Sequence, residues 1–278
     1  MTYKDLLNKG IKDIDDRFQS VLRLLLLAYC QQAGIDLYSE YENTVDLQIN
    51  EKFEKGLLRI IDDEPLAYIL GYEPFYGYDI ICDPRALIPR PETEELVNEV
   101  LMLLDERESR EELYGLDLGT GSGAIAVVLA LEDSRLRMVA SDISEAALSL
   151  AKENAERFNV SIDFIQSDLF TNIPESTKFD FIVCNPPYIK ERESVERSVL
   201  NFEPHTALFG GEDGTYFYRE ILKKAKDYLK PQSFLAFEIA YDQGEILKEL
   251  ATSYFQNSEI LLKKDINEKD RFLIIITN

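Results

Sequence analysis

Asn185-Pro186-Pro187-Tyr188 is the stretch whose residue types are hardest to account for by folding alone. An amide or aromatic amino nitrogen is a weak nucleophile because its lone pair is delocalised, and its two N–H donors need acceptors in a dry site. Asn185 offers a side-chain carbonyl and Pro186 a backbone carbonyl, so together they can accept both hydrogens. Such a grip holds the nitrogen, turns its lone pair toward an activated methyl group and stabilises the positive charge that develops on it. Pro186 and Pro187 stiffen the loop, since each fixes its own φ and Pro187 also restrains its predecessor. Tyr188 is expected to add a flat wall against which a planar group stacks. No general base is required, because methylation makes the nitrogen acidic and its proton can leave to water. An Asn-Pro pair ending a strand is a common turn. The whole tetrapeptide directly behind the strand-like run Phe179–Cys184 is not, and Cys184 itself reads as buried filling.

The second chemical element is Leu116-Asp117-Leu118-Gly119-Thr120-Gly121-Ser122-Gly123, which follows a strand and opens a helix. Glycine at such a turn lets the backbone approach a nucleotide where a side chain would collide. Asp142, with Ile143 beside it, lies 19 residues past Gly123 at the end of the next strand, where a carboxylate can accept both hydroxyls of an adenosine ribose. Asp168 follows the third strand and is placed for the exocyclic amine of adenine. Read through Ala124 the loop also fits the dinucleotide fingerprint, so alone it does not separate NAD from S-adenosyl-L-methionine. Asp117 two residues before the first glycine, the G-x-G-x-G spacing and the second acid at Asp168 favour S-adenosyl-L-methionine.

These residues need a doubly wound α/β sheet to bring them together. From Glu92 onward apolar runs alternate with helical stretches. A helix near 92–105 precedes seven strand candidates, at 113–118, 136–141, 162–166, 179–184, 233–239, 258–263 and 271–276. Ligands bind beyond the carboxyl ends of strands at the switch point of such a sheet, which sets the glycine loop, ending the first strand, opposite the tetrapeptide, ending the fourth. The first ~65 residues read as helices from their spacing: Tyr3, Leu6, Leu7 and Ile11, then Phe18, Val21, Leu22, Leu25 and Leu26, then Phe53, Leu57, Ile60 and Ile61, with Gly34 as a stop. The expected organisation is a helical domain over 1–74 for packing or partner docking, a connector with a β-hairpin over 75–90, spanning Phe75 to Ile88, and a catalytic domain over 91–278.

Composition narrows the partners. With 52 acids against 30 bases the formal charge is -22, which disfavours free nucleic acid as a partner and favours a basic protein surface or a ribonucleoprotein. Three widely spaced cysteines make neither a disulfide framework nor a metal-ligand pattern, and a single histidine, His205, argues against a histidine-centred triad. The N-terminus lacks the basic-then-apolar order of a signal peptide, and the run Leu24–Cys30 is too short to span a bilayer, so a cytoplasmic protein is expected.

The glycine loop and Asn185-Pro186-Pro187-Tyr188 occur together with Pro65-Leu66-Ala67-Tyr68-Ile69-Leu70-Gly71, Ile88-Pro89-Arg90-Pro91-Glu92-Thr93-Glu94 and Phe202-Glu203-Pro204. In this combination the chain resembles the HemK/PrmC family, from about Pro65 to its end. The resemblance implies a Rossmann-like class I methyltransferase domain with a seven-stranded, mostly parallel sheet and a small N-terminal helical bundle that docks the substrate protein. It also implies transfer of a methyl group to N5 of the glutamine in the Gly-Gly-Gln motif of peptide-chain release factors by a protein expected to act as a monomer. On that likeness Asp117, Gly119, Thr120, Gly121, Ser122, Gly123, Asp142, Ile143, Asp168, Leu169 and Asn185 serve the cofactor, while Asn185, Pro186, Pro187, Tyr188, Arg90 and Glu203 serve the glutamine. One departure is visible: where some members carry an aromatic that stacks on adenine, Leu169 stands here with Phe170 next. Glu203 also reads as part of a plain turn. Close alternatives are a glutamine methyltransferase of a ribosomal protein, which shares nearly every motif, and an adenine-N6 DNA methyltransferase, which would need a basic grip on phosphates. From another class, a NAD-dependent oxidoreductase or an inactive nucleotide-binding scaffold would have no use for the tetrapeptide.

Overall fold

The computed structural model describes residues 1–12, 14–106 and 112–278. The chain divides into two compact units, Met1–Tyr72 with Val195–Phe202, and Glu73–Ser194 with Glu203–Asn278.

The first unit is helical: α1 (Tyr3–Lys12), α2 (Gln19–Gln32), α3 (Leu47–Ile61), α4 (Leu66–Leu70) and the later short helix Arg197–Phe202. The N-terminus of α1 is closed reciprocally, Thr2 N donating to Asp5 Oδ2 and Asp5 N to Thr2 Oγ1. Asp46 caps α3 by accepting from Gln48 N and Ile49 N. The spacing read from sequence points inward, because Leu6, Leu22, Leu25, Leu26, Phe53 and Ile60 are all buried. After α2 the chain leaves the helix at Ala33 and Gly34, the latter with φ +70°. No helix among the described residues is long and apolar enough to cross a membrane.

A hairpin follows α4, β1 (Tyr72–Phe75) and β2 (Tyr78–Ile81), which lies earlier than the Phe75 to Ile88 expected. The turn is Tyr76-Gly77, both with positive φ, the geometry whose twist matches a two-residue hairpin. Asp83-Pro84 ends the pairing, and the residues after it run as loop to α5 (Pro91–Asp105). There follow β3 (Leu113–Leu118), α6 (Ala124–Glu132), β4 (Leu136–Asp142), α7 (Glu145–Phe158), β5 (Ile162–Gln166), β6 (Phe179–Cys184), α8 (Tyr216–Ala225), β7 (Leu229–Glu238), α9 (Gly244–Tyr254), β8 (Glu259–Lys264) and β9 (Asp270–Ile276). Among the described residues seven strands form one sheet in the order β5-β4-β3-β6-β7-β9-β8, in which β9 runs opposite to the other six. This is the mostly parallel α/β sheet expected from the alternation of apolar runs and helices.

Both faces of the sheet are covered, so the central strands are apolar throughout rather than alternating. Phe181 and Val183 pack with Leu96, Val97 and Val100 of α5, whereas Ile182 and Cys184 pack with Tyr218 and Leu222 of α8. The order reverses between β3 and β6, which pair directly with Asp117 opposite Val183. Everything that could do chemistry gathers at that switch point.

Candidate active site

Past the end of β3 the backbone folds into a loop in which Gly119, Gly121 and Gly123 have φ of +78°, +56° and +81°. Gly119 N and Thr120 N donate to Ser141 O at 2.8 and 2.9 Å, and Gly121 N donates to Asp142 Oδ2 at 2.9 Å. The other oxygen of Asp142 accepts from Ser144 N at 2.9 Å, so one carboxylate ties the glycine loop to the start of α7. A Cβ on Gly119 would meet no atom within 4 Å, and one on Gly121 only Ala86 Cβ at 3.9 Å: both face open space. Gly123 has another reason, because a Cβ there would stand 2.9 Å from Ala151 Cβ of α7.

That open space is a cavity of about 350 Å³, within the range of small-molecule sites. Of the residues expected at the site, Arg90, Gly119, Thr120, Gly121, Ser122, Asp142, Ile143, Asp168, Leu169, Asn185, Pro186 and Pro187 line it. Asp117, Gly123, Tyr188 and Glu203 do not, and each has a supporting position instead. Asp117 is fully buried beneath the loop, its Oδ2 accepting from Thr120 Oγ1 at 2.6 Å and Ala126 N at 3.2 Å. It therefore joins the loop to the first turn of α6.

Leu169 reaches the cavity through a left-handed backbone, φ +47°. Ser167 holds that conformation by donating from Oγ to Leu169 O at 2.7 Å and accepting from Asn172 N. Phe170 turns away, buried and stacked on Tyr228 with ring centroids 4.6 Å apart. An aliphatic wall thus stands where an aromatic was the alternative.

The tetrapeptide leaves β6 into the opposite side of the cavity. Asn185 Nδ2 donates to Thr93 Oγ1 at 3.1 Å and to Glu238 Oε2 at 3.0 Å, and Thr93 Oγ1 donates to the same Oε2 at 2.6 Å. Asn185 Oδ1 has no protein donor among the described residues and remains the free acceptor. Tyr188 is not the flat wall expected of it: its ring packs against the core below, and its hydroxyl donates to Glu238 Oε1 at 3.4 Å. Burial, with Glu238 beside it, pushes that phenol well above the usual tyrosine range. The backbone of the tetrapeptide is clamped from behind, where a Cβ on Gly210 would lie 2.4 Å from Pro187 O and one on Gly214 2.3 Å from Tyr188 O. Gln243 Nε2 donates to Tyr188 O at 3.3 Å.

Glu238 was not singled out from sequence, and Thr93 only as part of the Arg90–Glu94 segment, expected to line the same pocket with no contact assigned to it. The available signal was the acid closing the apolar run Phe234–Glu238, in a strand destined to lie beside β6. Glu203 is more than a turn residue. Its carboxylate, only 1% exposed, accepts from Arg90 Nη2 at 2.5 Å and from Ile88 N at 3.1 Å, fixing the rim segment that carries Arg90. Burial holds the Cys184 thiol well above its usual range, consistent with filling rather than nucleophilic work.

Asp117 and Glu238 are each pushed up to about 7, mainly by burial. The folded state therefore keeps these protons at a pH where the unfolded chain has released them. The stability each contributes is intact below the ordinary carboxylate range and is lost as pH rises through about 7. For Asp117 we expect wild type to lose on the order of 2 kcal/mol relative to Asp117→Asn between about pH 5 and pH 8. Paired thermal melts read it, and a gap between the two proteins that does not change with pH would refute the burial argument.

A loop whose glycines leave open space, an acid at the end of β4 and an apolar wall at Leu169 fit an adenosyl group, and Asn185, its carbonyl free, lines the same cavity from the end of β6. Residues 9–71 match the model of the PrmC N-terminal domain and residues 98–206 that of the methyltransferase small domain. The release factor glutamine methyltransferase of Koribacter versatilis is 39% identical over 258 residues, 90% of each chain. That of Staphylococcus aureus is 34% identical over 278 residues, 98% of each chain. A methyltransferase from Pyrococcus furiosus, 19% identical, superposes with a TM-score of 0.53 over 73% of this chain and 90% of its own, a likeness of fold alone. The chain belongs to the release factor glutamine methyltransferase family.

Proposed function

We propose that the protein transfers the methyl group of S-adenosyl-L-methionine to the side-chain amide nitrogen, N5, of the glutamine in the Gly-Gly-Gln motif of peptide-chain release factors. When bound, S-adenosyl-L-methionine supplies an electrophilic methyl on a sulfonium: the S–C bond breaks, the N–C bond forms and the products are S-adenosyl-L-homocysteine and the N5-methyl amide. Asp142 takes the ribose hydroxyls, Asp168 the adenine amine, and Leu169 and Ile143 pack the base, over a floor formed by Gly119, Thr120, Gly121 and Ser122. Asn185 Oδ1 and Pro186 O accept the two amide hydrogens and orient the nitrogen. The proton displaced on methylation leaves to water. Arg90, held by Glu203, lies on the rim where the backbone around the glutamine passes. The helical unit docks the release factor, and the protein acts as a cytoplasmic monomer without binding free nucleic acid.

One observation carries this reading: Asn185 spends both donors on protein acceptors and keeps its carbonyl for the cavity. The test is incubation with labelled S-adenosyl-L-methionine and, in parallel, unmodified release factor, the ribosomal-protein candidate and duplex DNA. Label is expected in the release factor, on the glutamine. Label confined to DNA or to the ribosomal protein would overturn the assignment.

A further inference from the structure

Asparagine's amide is nearly symmetrical in shape, so a loop alone does not decide which end of it faces a substrate. At Asn185 the decision is made by two residues distant in sequence. The parallel register that sets Cys184 opposite Phe237 places Asn185 alongside Glu238, one residue further along each strand. Thr93, from the first turn of α5, completes the group. The hydroxyl hydrogen of Thr93 is committed to Glu238 Oε2, so Thr93 has only lone pairs to offer Asn185. Above about pH 7, where the Glu238 carboxyl has released the proton that burial makes it hold, Oε2 offers lone pairs as well. Turned the other way, Asn185 Oδ1 would face two acceptors, and its NH2 would face the NH2 of the substrate, donor against donor. We propose that Glu238 and Thr93 are positioning residues that select the working orientation of the Asn185 amide, acting through Asn185.

The arrangement around Glu238 is built for acceptance at one oxygen. Oε2 receives Thr93 and Asn185, and Oε1 receives the Tyr188 hydroxyl, while Tyr218 donates from its hydroxyl to the Glu238 backbone carbonyl at 2.7 Å and fixes the main chain. What the role requires is an acceptor at the Oε2 position, not a charge. A glutamine there can put its carbonyl oxygen at that position and turn its NH2 toward Tyr188, whose hydroxyl rotates to accept. A leucine can do neither.

The inference rests on the proposed use of Asn185 as acceptor for the target amide, and the experiment separates the two. Turnover on release factor, KM for it, binding of S-adenosyl-L-homocysteine by calorimetry and melting midpoints are measured for wild type, Glu238→Leu, Glu238→Gln, Asn185→Ala and the Asn185→Ala/Glu238→Leu double variant. Glu238→Leu is expected to lower kcat about 10- to 100-fold through misplacement of the acceptor. Its cofactor affinity stays within about threefold, and Glu238→Gln recovers kcat to within about threefold of wild type. On the Asn185→Ala background Glu238→Leu adds no further loss, since both act through one group. Wild-type kcat in Glu238→Leu, a Glu238→Gln variant as slow as Glu238→Leu, or additive losses would each overturn the inference. If Glu238→Leu does not fold, Thr93→Val against Thr93→Ser reads the same interaction: slow valine with near-normal serine supports it, and equal rates refute it. Undiminished turnover in Asn185→Ala would sink the proposed use of Asn185, and this inference with it. A slow Asn185→Ala beside a fast Glu238→Leu would sink this inference alone.

Discussion

Replacing Asn185 by alanine lowers kcat by about 10²-fold or more while S-adenosyl-L-homocysteine binds within about threefold of wild type. The expectation follows from where Asn185 spends its bonds. Its two donors are used on Thr93 and Glu238, inside the protein, and its carbonyl is the part left for the cavity. In the proposed function the glycine loop, Asp142 and Leu169 hold the cofactor, and the variant leaves those partners in place. The amide nitrogen of the substrate loses an acceptor just where positive charge develops, which weighs more in the transition state than in the ground state. The variant also leaves Glu238 and Thr93 short of one donor in a buried place, so its melting midpoint falls modestly. Steady-state kinetics beside calorimetry separate the outcomes. Equal losses in turnover and cofactor binding would mean that Asn185 chiefly holds the cofactor.

The second large effect is expected from a residue that touches nothing in the cavity. Gly210 lies behind the tetrapeptide, its N–H donating to Ile189 O at 2.9 Å. A methyl group added there would stand 2.4 Å from Pro187 O, 2.9 Å from Gly214 O and 3.0 Å from Tyr188 Cα. All three are backbone atoms, so no side chain can swing aside. Either the segment after Phe209 backs off or the tetrapeptide moves forward into the cavity. Gly210→Ala should cost roughly 1–3 kcal/mol of stability by overpacking and, by shifting Pro186 O and Asn185 together, lower kcat about 10²-fold. Gly77→Ala is the matched control: φ is +82° in the hairpin turn, and a Cβ there meets nothing within 4 Å. That variant should lose about 1 kcal/mol with unchanged kcat. Were Gly210→Ala to keep wild-type kcat despite a lowered melting midpoint, the clamp would have no part in positioning.

Much of the fold was legible because the signals were local. Strand runs such as Phe179–Cys184 are apolar on both faces and sit between helices, which leaves a parallel, doubly covered sheet as the natural solution. The glycine loop and Asp142 could be read because their spacing follows one strand, one turn and one helix. Asn185 and Pro186 stood out by residue type, and the strand before them placed them at the switch point.

What escaped was non-local. Thr93 and Glu238 are 145 positions apart and meet only because α5 and β7 are brought to the same end of the sheet. The same holds for Gly210 and Gly214, whose role depends on a backbone approach that no spacing reveals. Tyr188 was read from its ring, yet its partner, the Glu238 carboxylate, lies in a neighbouring strand and draws the hydroxyl inward. The hairpin was set too late because Tyr76-Gly77, a tight two-residue turn with an aromatic at its first position, is weaker turn chemistry than the Asp83-Pro84 that follows. Nothing in composition marked Val195–Phe202 as a return to the helical unit.

The most direct test is a crystal structure of the protein with S-adenosyl-L-homocysteine and a release-factor fragment carrying the Gly-Gly-Gln motif. The account predicts the glutamine amide nitrogen within about 3.2 Å of both Asn185 Oδ1 and Pro186 O, with its free face toward the sulfur. A glutamine bound elsewhere, or an Asn185 whose NH2 faces it while the carbonyl points at Glu238, would contradict the account.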